Sequence, residues 1–396
     1  RPQRPRPGKK VCGQGTGMSQ LCYFDYAATT PVREEVISAV AAALGRFGNP
    51  SSRYPYGAEA AKQVKEDRSV MAQALGCAPG EVFFTSCGTE GDNWAIRKGV
   101  ELGRRRGRHI VTTAIEHAAV LETCRDLERQ GCEVTYLKPD KTGHIAVDDL
   151  RAALRPDTAL VSMMLVNNEL GTVLPVAQCV QAVKGFDKNI LFHCDAVQGF
   201  LKLPVSLAAL GADLVTVSGH KLGAPKGVGA LYVKKGVRLA PLLTGGGQEE
   251  GLRSGTEATA QIAGFAAACR SVMADTARLE RTAAIKDYTL SRLRAEIPKL
   301  EVISAGDAPH ICAVTLPGYK SEVVVRVLGD QGVCISSGSA CHKGKPSHVF
   351  AALGLPKPWL DGALRISFSP DSTREEADRL VSALKGAADS LFTTLS

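Results

Sequence analysis

The chain has 396 residues, of which 44% are hydrophobic and 22% charged, with 40 Gly, 20 Pro and 5% aromatics. At about 150 residues per domain, that length suggests two or three domains, each able to bury its own core. The formal net charge is +8, but five of the positive charges (Arg1, Arg4, Arg6, Lys9, Lys10) lie in residues 1–17, which hold no acid. The remaining excess of three is too small for an extended nucleic-acid surface.

Residues 1–17 (RPQRPRPGKKVCGQGTG) cannot bury apolar area and are expected to be a disordered basic leader or tag. The start lacks the apolar core of a signal peptide, and no run approaches the roughly 18 apolar residues of a membrane span. A soluble cytoplasmic protein is expected. Residues 18–32 are read as an N-terminal segment joining a smaller domain, and 33–256 as the large domain. In that stretch helix-like segments (33–47, 58–75, 90–102, 118–130, 176–184) alternate with strand-like runs. The strands are 82–85, 109–113, 133–137, 159–163, 190–194, 214–218 and 230–233. Alternation of this kind implies a mostly parallel sheet covered on both faces, with ligands at the carboxyl ends of its strands. Residues 257–396 read as a smaller α+β domain, opened by one long helix over 258–296.

The twelve Cys include no C-x-x-C pair, so no zinc ribbon or dithiol site is expected, and no metal. Chemistry-bearing residues cluster after strands instead. Thr85-Ser-Cys-Gly-Thr-Glu-Gly-Asp-Asn93 is a small-residue turn entering a helix, where Gly88, Thr89 and the helix N-terminus suit a phosphate. A capped strand–turn–helix would read the same way. His117 opens a helix and suits stacking or proton transfer, or is simply a helix-start histidine. Asp195, in HCDAVQ, ends a strand where a carboxylate is costly without a cation, though an N-cap is the plain alternative. Lys221, in SGHKLGAPKG, follows an apolar strand among small residues, a setting for covalent carbonyl chemistry. Cys341, in SSGSACHKGKP, lies in a Gly/Ser loop with Lys343 and Lys345 nearby, which favours thiolate character. The other Cys read as small hydrophobes.

In order along the chain stand DYAATTP (25–31), GNPSS (48–52), FTSCGTEGDN, EHAAV, VNNELGT (166–172), DAVQ, SGHKLGAPKG, RSGT and SSGSAC. Together these motifs resemble the cysteine desulfurases of the NifS/IscS type, a branch of the class V aminotransferase group, from Cys22 to about Leu391. The resemblance implies an aspartate aminotransferase-like α/β fold with a PLP-binding large domain. It also implies a smaller α+β domain carrying the catalytic Cys loop.

Matched position by position, Lys221 is the covalent anchor of pyridoxal 5′-phosphate (PLP). Asp195 pairs with its ring nitrogen, Gln198 reaches its phenolic oxygen, and His117 stacks on the ring. Gly88, Thr89, Ser218 and His220 form the phosphate cradle, and Thr256 reaches the phosphate of the neighbouring subunit, so a homodimer is implied. Asn168 and Arg365 hold the substrate, Arg365 by its carboxylate. Cys341 takes the sulfur. The implied reaction converts L-cysteine to L-alanine. Lys221 moves the Cα proton, His117 carries the thiol proton and Cys341 ends as a persulfide for a sulfur-acceptor protein, in iron–sulfur cluster assembly or tRNA thiolation.

Cys87 and Gly91 depart from the glycine and serine common in the phosphate turn. Cys87 is read as structurally inert. The basic segment after Cys341 bears on partner choice. A selenocysteine or cystine lyase is the rival on the same scaffold. A class V aminotransferase without sulfur chemistry would not need Cys341, and a non-enzymatic scaffold would not need Lys221, Asp195 and His117 together. Neither membrane nor direct nucleic-acid binding is expected.

Overall fold

In a computed structural model of the chain, residues 21–337 and 347–391 are described. The expected residues 1–17 and Cys341, Lys343 and Lys345 lie outside them. The strands are β1 (Cys22–Tyr23), β2 (Val82–Thr85), β3 (His109–Thr113), β4 (Glu133–Leu137), β5 (Thr158–Met164), β6 (Leu191–Asp195) and β7 (Leu214–Ser218). They continue as β8 (Gly229–Val233), β9 (Glu301–Ser304), β10 (Ile311–Thr315), β11 (Val333–Cys334), β12 (Ser336–Ser337) and β13 (Ala363–Ser367). The helices are α1 (Glu34–Leu44), α2 (Pro55–Leu75), α3 (Gly88–Gly103), α4 (Ala118–Arg129), α5 (Val147–Ala153) and α6 (Val176–Phe186). After them come α7 (Thr259–Ala274), α8 (Arg278–Glu296), α9 (Ser321–Asp330), α10 (His348–Ala352), α11 (Lys357–Asp361) and α12 (Arg374–Ser390). None of these helices is long and apolar enough to cross a membrane.

Seven strands form one sheet in the order β2-β8-β7-β6-β5-β3-β4. All neighbours run parallel except β8, which is antiparallel to both β2 and β7. The middle of the sheet explains the apolar runs in the sequence. Every residue of β5, β6 and β7 is buried, as expected where helices cover both faces. Helix α3 reaches the sheet closely because Gly91 has no side chain. A Cβ there would stand 2.7 Å from Thr216 Cγ2, so the departure at Gly91 is a packing requirement.

A second, antiparallel sheet has the order β12-β13-β10-β9, and β1 pairs in parallel with β11 beside it. Its core is separate, built from residues such as Phe24, Leu293, Val314, Ile366 and Leu384. The helix expected over 258–296 is two helices. The chain breaks at Asp275–Ala277, where both guanidinium nitrogens of Arg281 grip the Asp275 carboxylate at 2.6 and 3.0 Å. Arg278 binds the Asp275 carbonyl at 2.9 Å in place of a helical N–H. The two pieces then serve different cores. Helix α7 packs on α1 and α2 beside the large sheet, and α8 packs on α12. Short elements with little periodicity (β1, α5, β9, α10, α11) were not legible beforehand.

One loop shows how tightly the large sheet's edge is tied. Glu249 and Glu250 both adopt left-handed backbone (φ 48° and 58°), which costs about 1–2 kcal/mol each for a residue with a Cβ. The Glu249 side chain offsets this. Its carboxylate takes a two-pronged contact from Arg68 (2.6 and 2.7 Å) and the Phe84 N–H at 2.9 Å. Four residues later Arg253 binds Glu90 of α3 at 2.8 Å. Removing Glu249 leaves the Arg68 charge half-buried without its partner. Glu249→Ala should therefore lower unfolding stability by about 3–5 kcal/mol in denaturant titration. A loss under about 1 kcal/mol would show that the pair does not hold the loop.

Candidate functional site

The carboxyl ends of the parallel strands converge on one spot. β3 leads to His117, β5 to Asn168, β6 ends in Asp195, and β7 leads through Ser218 to Lys221. The turn after β2 brings in Gly88 at the start of α3. Helix propensity and turn chemistry place several of these side chains. His117 is the N-cap of α4, and its Nδ1 accepts the Ala119 N–H at 3.1 Å. That bond turns the other ring nitrogen away from the helix.

Asp195 is 6% exposed and receives the Val197 N–H on Oδ1 at 2.9 Å. Burial raises its pKa, while the nearby charges of His117 and Lys221 and the Val197 bond pull it down. Burial lowers the pKa of His117, Asp195 opposes that shift, and Lys221 adds to it. These three groups therefore share one electrostatic environment. Behind Asp195, His193 is held neutral by burial with its pKa near 3, and bonds Ser162 at 2.9 Å and Thr216 at 3.0 Å.

The N-terminal turn closes the site from the other side. Lys221 Nζ donates to the Ala27 and Ala28 carbonyls at 2.7 and 2.8 Å. Gln198 Nε2 donates to the same Ala27 carbonyl at 2.8 Å. Arg365, from β13, donates to Asp25 Oδ1 at 2.8 Å and to the Asn168 carbonyl at 2.9 Å. Its Nε is buried and has no hydrogen-bond partner among the described residues.

The donor set suits a phosphorylated, cationic ring. Ser218 is 3% exposed and its Oγ lacks a partner among the described residues, an expensive state for a buried hydroxyl. A Cβ on Gly88 would lie 3.5 Å from Ser218 Cβ and 2.9 Å from Val197 Cγ2, so that cradle wants a glycine. Asp195 offers a buried carboxylate to a cation, and His117 offers a ring face. These residues fit the PLP that the resemblance implies.

Not every expected residue joins them. Thr256 is exposed. His220 Nδ1 lies 3.1 Å from Thr29 Oγ1, and burial together with the Lys221, Lys226 and Lys202 charges pushes its pKa down to about 4. Cys87 is half-buried, with Ser86 Oγ 3.6 Å from its sulfur. Cys341 falls outside the described residues. Asp25, Glu116, Glu169 and Lys202 are site neighbours that sequence reading missed. Asp25 stood in a quoted motif without a role, whereas a Lys four residues after Gln198 in a turn gives no signal.

The chain matches the family model described as Aminotransferase class-V over residues 22–380. It is 42% identical over 373 residues to a protein named Cysteine desulfurase from Trichormus azollae, covering 92% of each chain. The chain belongs to the cysteine desulfurases of the class V aminotransferase family. Among solved structures it is similar to a NifS-like protein, with a TM-score of 0.88 at 35% identity, covering 94% of this chain and 100% of the other. It is also similar to SspA in complex with cysteine, with a TM-score of 0.77 at 35% identity, covering 89% and 99%. Cysteine desulfurases and class V aminotransferases are PLP enzymes, and the fold matches theirs.

Directly beneath His117 lies Glu116, fully buried. Its Oε1 accepts from Thr113 (2.7 Å) and the Met164 N–H (3.0 Å), and its Oε2 has no partner. Burial raises its pKa from 4.5 to about 8. Between those values the folded chain keeps a proton that the unfolded chain has released, so stability falls as pH rises. Glu116→Gln removes this dependence while keeping the shape. Its stability relative to the parent should grow between pH 5 and 8, by at most about 1.4 kcal/mol per pH unit, and then level off. Parallel melting curves across that range check it, and a constant difference would mean that Glu116 is ionised in the folded chain.

Proposed function

We propose that the protein holds PLP in this site and uses it to move the sulfur of L-cysteine onto its own Cys341, releasing L-alanine. The observation that carries the reading is the convergence of Lys221 and His117 on the buried carboxylate of Asp195 at the strand ends. Family membership supports the same reaction. PLP, when bound, supplies an electron sink for the Cα–H bond of an amino acid.

The chain's own groups do the rest. Asp195 would hold its negative charge towards the ring nitrogen, and its buried position would strengthen that interaction. Ser218 Oγ, the N–H groups of Gly88 and Thr89, and His220 would receive the phosphate, with Thr256 of each subunit serving the neighbour in a homodimer. Gln198, whose Nε2 is held by the Ala27 carbonyl, would offer its second amide N–H to the phenolic oxygen. Lys221 is the covalent anchor and then the base at Cα, and the Ala27 and Ala28 carbonyls hold its amine in place. Arg365 presents a guanidinium edge to the substrate carboxylate, beside Asn168. Asp25 and the Asn168 carbonyl preset that orientation. His117 holds a neutral ring that can take the substrate thiol proton. The Cys341 thiolate attacks the substrate sulfur, the C–S bond breaks, and the carbon product takes a proton to become alanine. The persulfide then passes its outer sulfur to an acceptor protein, in iron–sulfur cluster assembly or tRNA thiolation, in the cytoplasm.

Cys341→Ala should keep the yellow cofactor absorbance and yield no persulfide. Mass spectrometry of the parent after L-cysteine should find one added sulfur on the Cys341 peptide. Added sulfur elsewhere, or undiminished alanine production in the variant, would reassign the nucleophile. Lys221→Ala should lose the covalently held cofactor. Arg365→Gln should raise KM for L-cysteine by about tenfold or more, since a charge-assisted contact contributes about 1.5–3 kcal/mol, and an unchanged KM would remove Arg365 from substrate binding.

A further inference from the structure

A cavity of about 260 Å³ lies between the two cores, behind the N-terminal turn. Its walls are mainly apolar, formed by Val32, Leu222, Val272, Leu279 and Phe368. Lys221 borders it, whereas Asp195, His117, Ser218 and Arg365 do not line it. It is therefore a compartment next to the catalytic site that meets it at Lys221 and shares none of Asp195, His117, Ser218 and Arg365.

Among the polar side chains of the lining, three stand out: His310, Lys202 and Arg278. His310 is 3% exposed, and both ring nitrogens are buried without a well-aligned hydrogen bond, a Gln198 main-chain group lying nearby. Lys202 donates to Gln198 Oε1 at 3.4 Å. Arg278 spends its bonds on the carbonyls of Leu201 (3.2 Å) and Asp275 (2.9 Å). Among the described residues neither cation has a carboxylate within ion-pair distance. The acid in the lining, Asp371, is 3.8 Å from Arg33. Burial, with the charges of Lys221 and Arg365, lowers the Lys202 pKa to about 7, so an anion beside it would restore its charge. A buried imidazole without a well-aligned side-chain partner and two cations without a carboxylate at ion-pair distance among the described residues, in a chamber walled largely by hydrocarbon, are what a small amphipathic anion requires.

We propose that this cavity binds a small monocarboxylate with an apolar body, of the aryl-acetic or short aliphatic class, its carboxylate held by Lys202 and Arg278 and hydrogen-bonded by His310. A polyanion such as a nucleotide fits poorly, because, of the four lining cations, Arg33 stands 3.8 Å from Asp371 and Lys221 is held by the Ala27 and Ala28 carbonyls, which leaves Lys202 and Arg278. The site goes beyond the desulfurase reading and does not depend on it.

The probe is 4-fluorophenylacetate, followed by fluorine NMR on the full chain, with 4-fluorophenylacetamide as the uncharged control. Saturable broadening by the acid, and binding of the amide weaker by about tenfold or more, is expected from the loss of the charge-assisted contacts. That comparison needs no variant. Leu279→Trp, which fills the chamber, should abolish binding, while Lys202→Met and Arg278→Met should each weaken it by about tenfold. Saturating L-alanine should leave the probe bound, because alanine would occupy Arg365 instead. No saturable binding, equal affinity for acid and amide, survival of binding in Leu279→Trp, or displacement by alanine would each overturn the proposal. None of these results requires desulfurase turnover, so failure here and failure of the proposed function are read separately.

Discussion

The site is organised around a carboxylate that water barely reaches. Asp195 ends a fully buried strand, and its desolvation has to be repaid by positive charge brought close. The rest follows from that demand. His117 is capped onto its helix so that it stands near the carboxylate, and Lys221 is delivered by the next strand over. On the same strand His193 is kept neutral by burial and bonds the hydroxyls of Ser162 and Thr216. Parallel strands make this arrangement available because they discharge their carboxyl ends along one edge.

The N-terminal turn converts that edge into a closed site. Residues 25–30 touch both sheets. Asp25 meets Arg365 on the small sheet, the Ala27 carbonyl receives both Gln198 and Lys221, and Thr30 Oγ1 bonds the His220 carbonyl at 2.8 Å and the Gly223 N–H at 2.7 Å. A segment with almost no regular structure of its own is thus held by side-chain and main-chain bonds to distant elements. Backbone carbonyls suit this task, since they fix an amine without adding a titrating charge.

The architecture was legible wherever hydrophobic burial dominates. Strands such as 82–85, 109–113 and 214–218 lie where the apolar runs placed them, because they are buried along their whole length. The strand-end clusters were legible for the same reason, since a polar residue after such a run reaches the sheet's rim. Reading failed where distant contacts decide. The Asp275 break depends on an arginine six residues on, and an Ala-rich pattern hides it. Glu116 looks like any charged residue before a helix, and only packing reveals it as a buried acid with one oxygen unmatched. Lys202 and His310 gain their meaning from a chamber formed by residues from across the whole chain.

The bonds of the N-terminal turn also impose an order of assembly. The Ala27 N–H bonds Ser367 Oγ and Asp25 bonds Arg365, each across 340 residues of sequence. During synthesis the large sheet can form its parallel strands while the last part of the chain is still on the ribosome. Residues 25–30 must then wait, their turn unsecured, until β13 arrives. Loop-closure entropy makes that step slow relative to the local helices and strands around it. A nascent chain halted before residue 363 would carry Lys221 and Asp195 but lack the clasp that seats the lysine, so maturation of the site is coupled to the synthesis of β13.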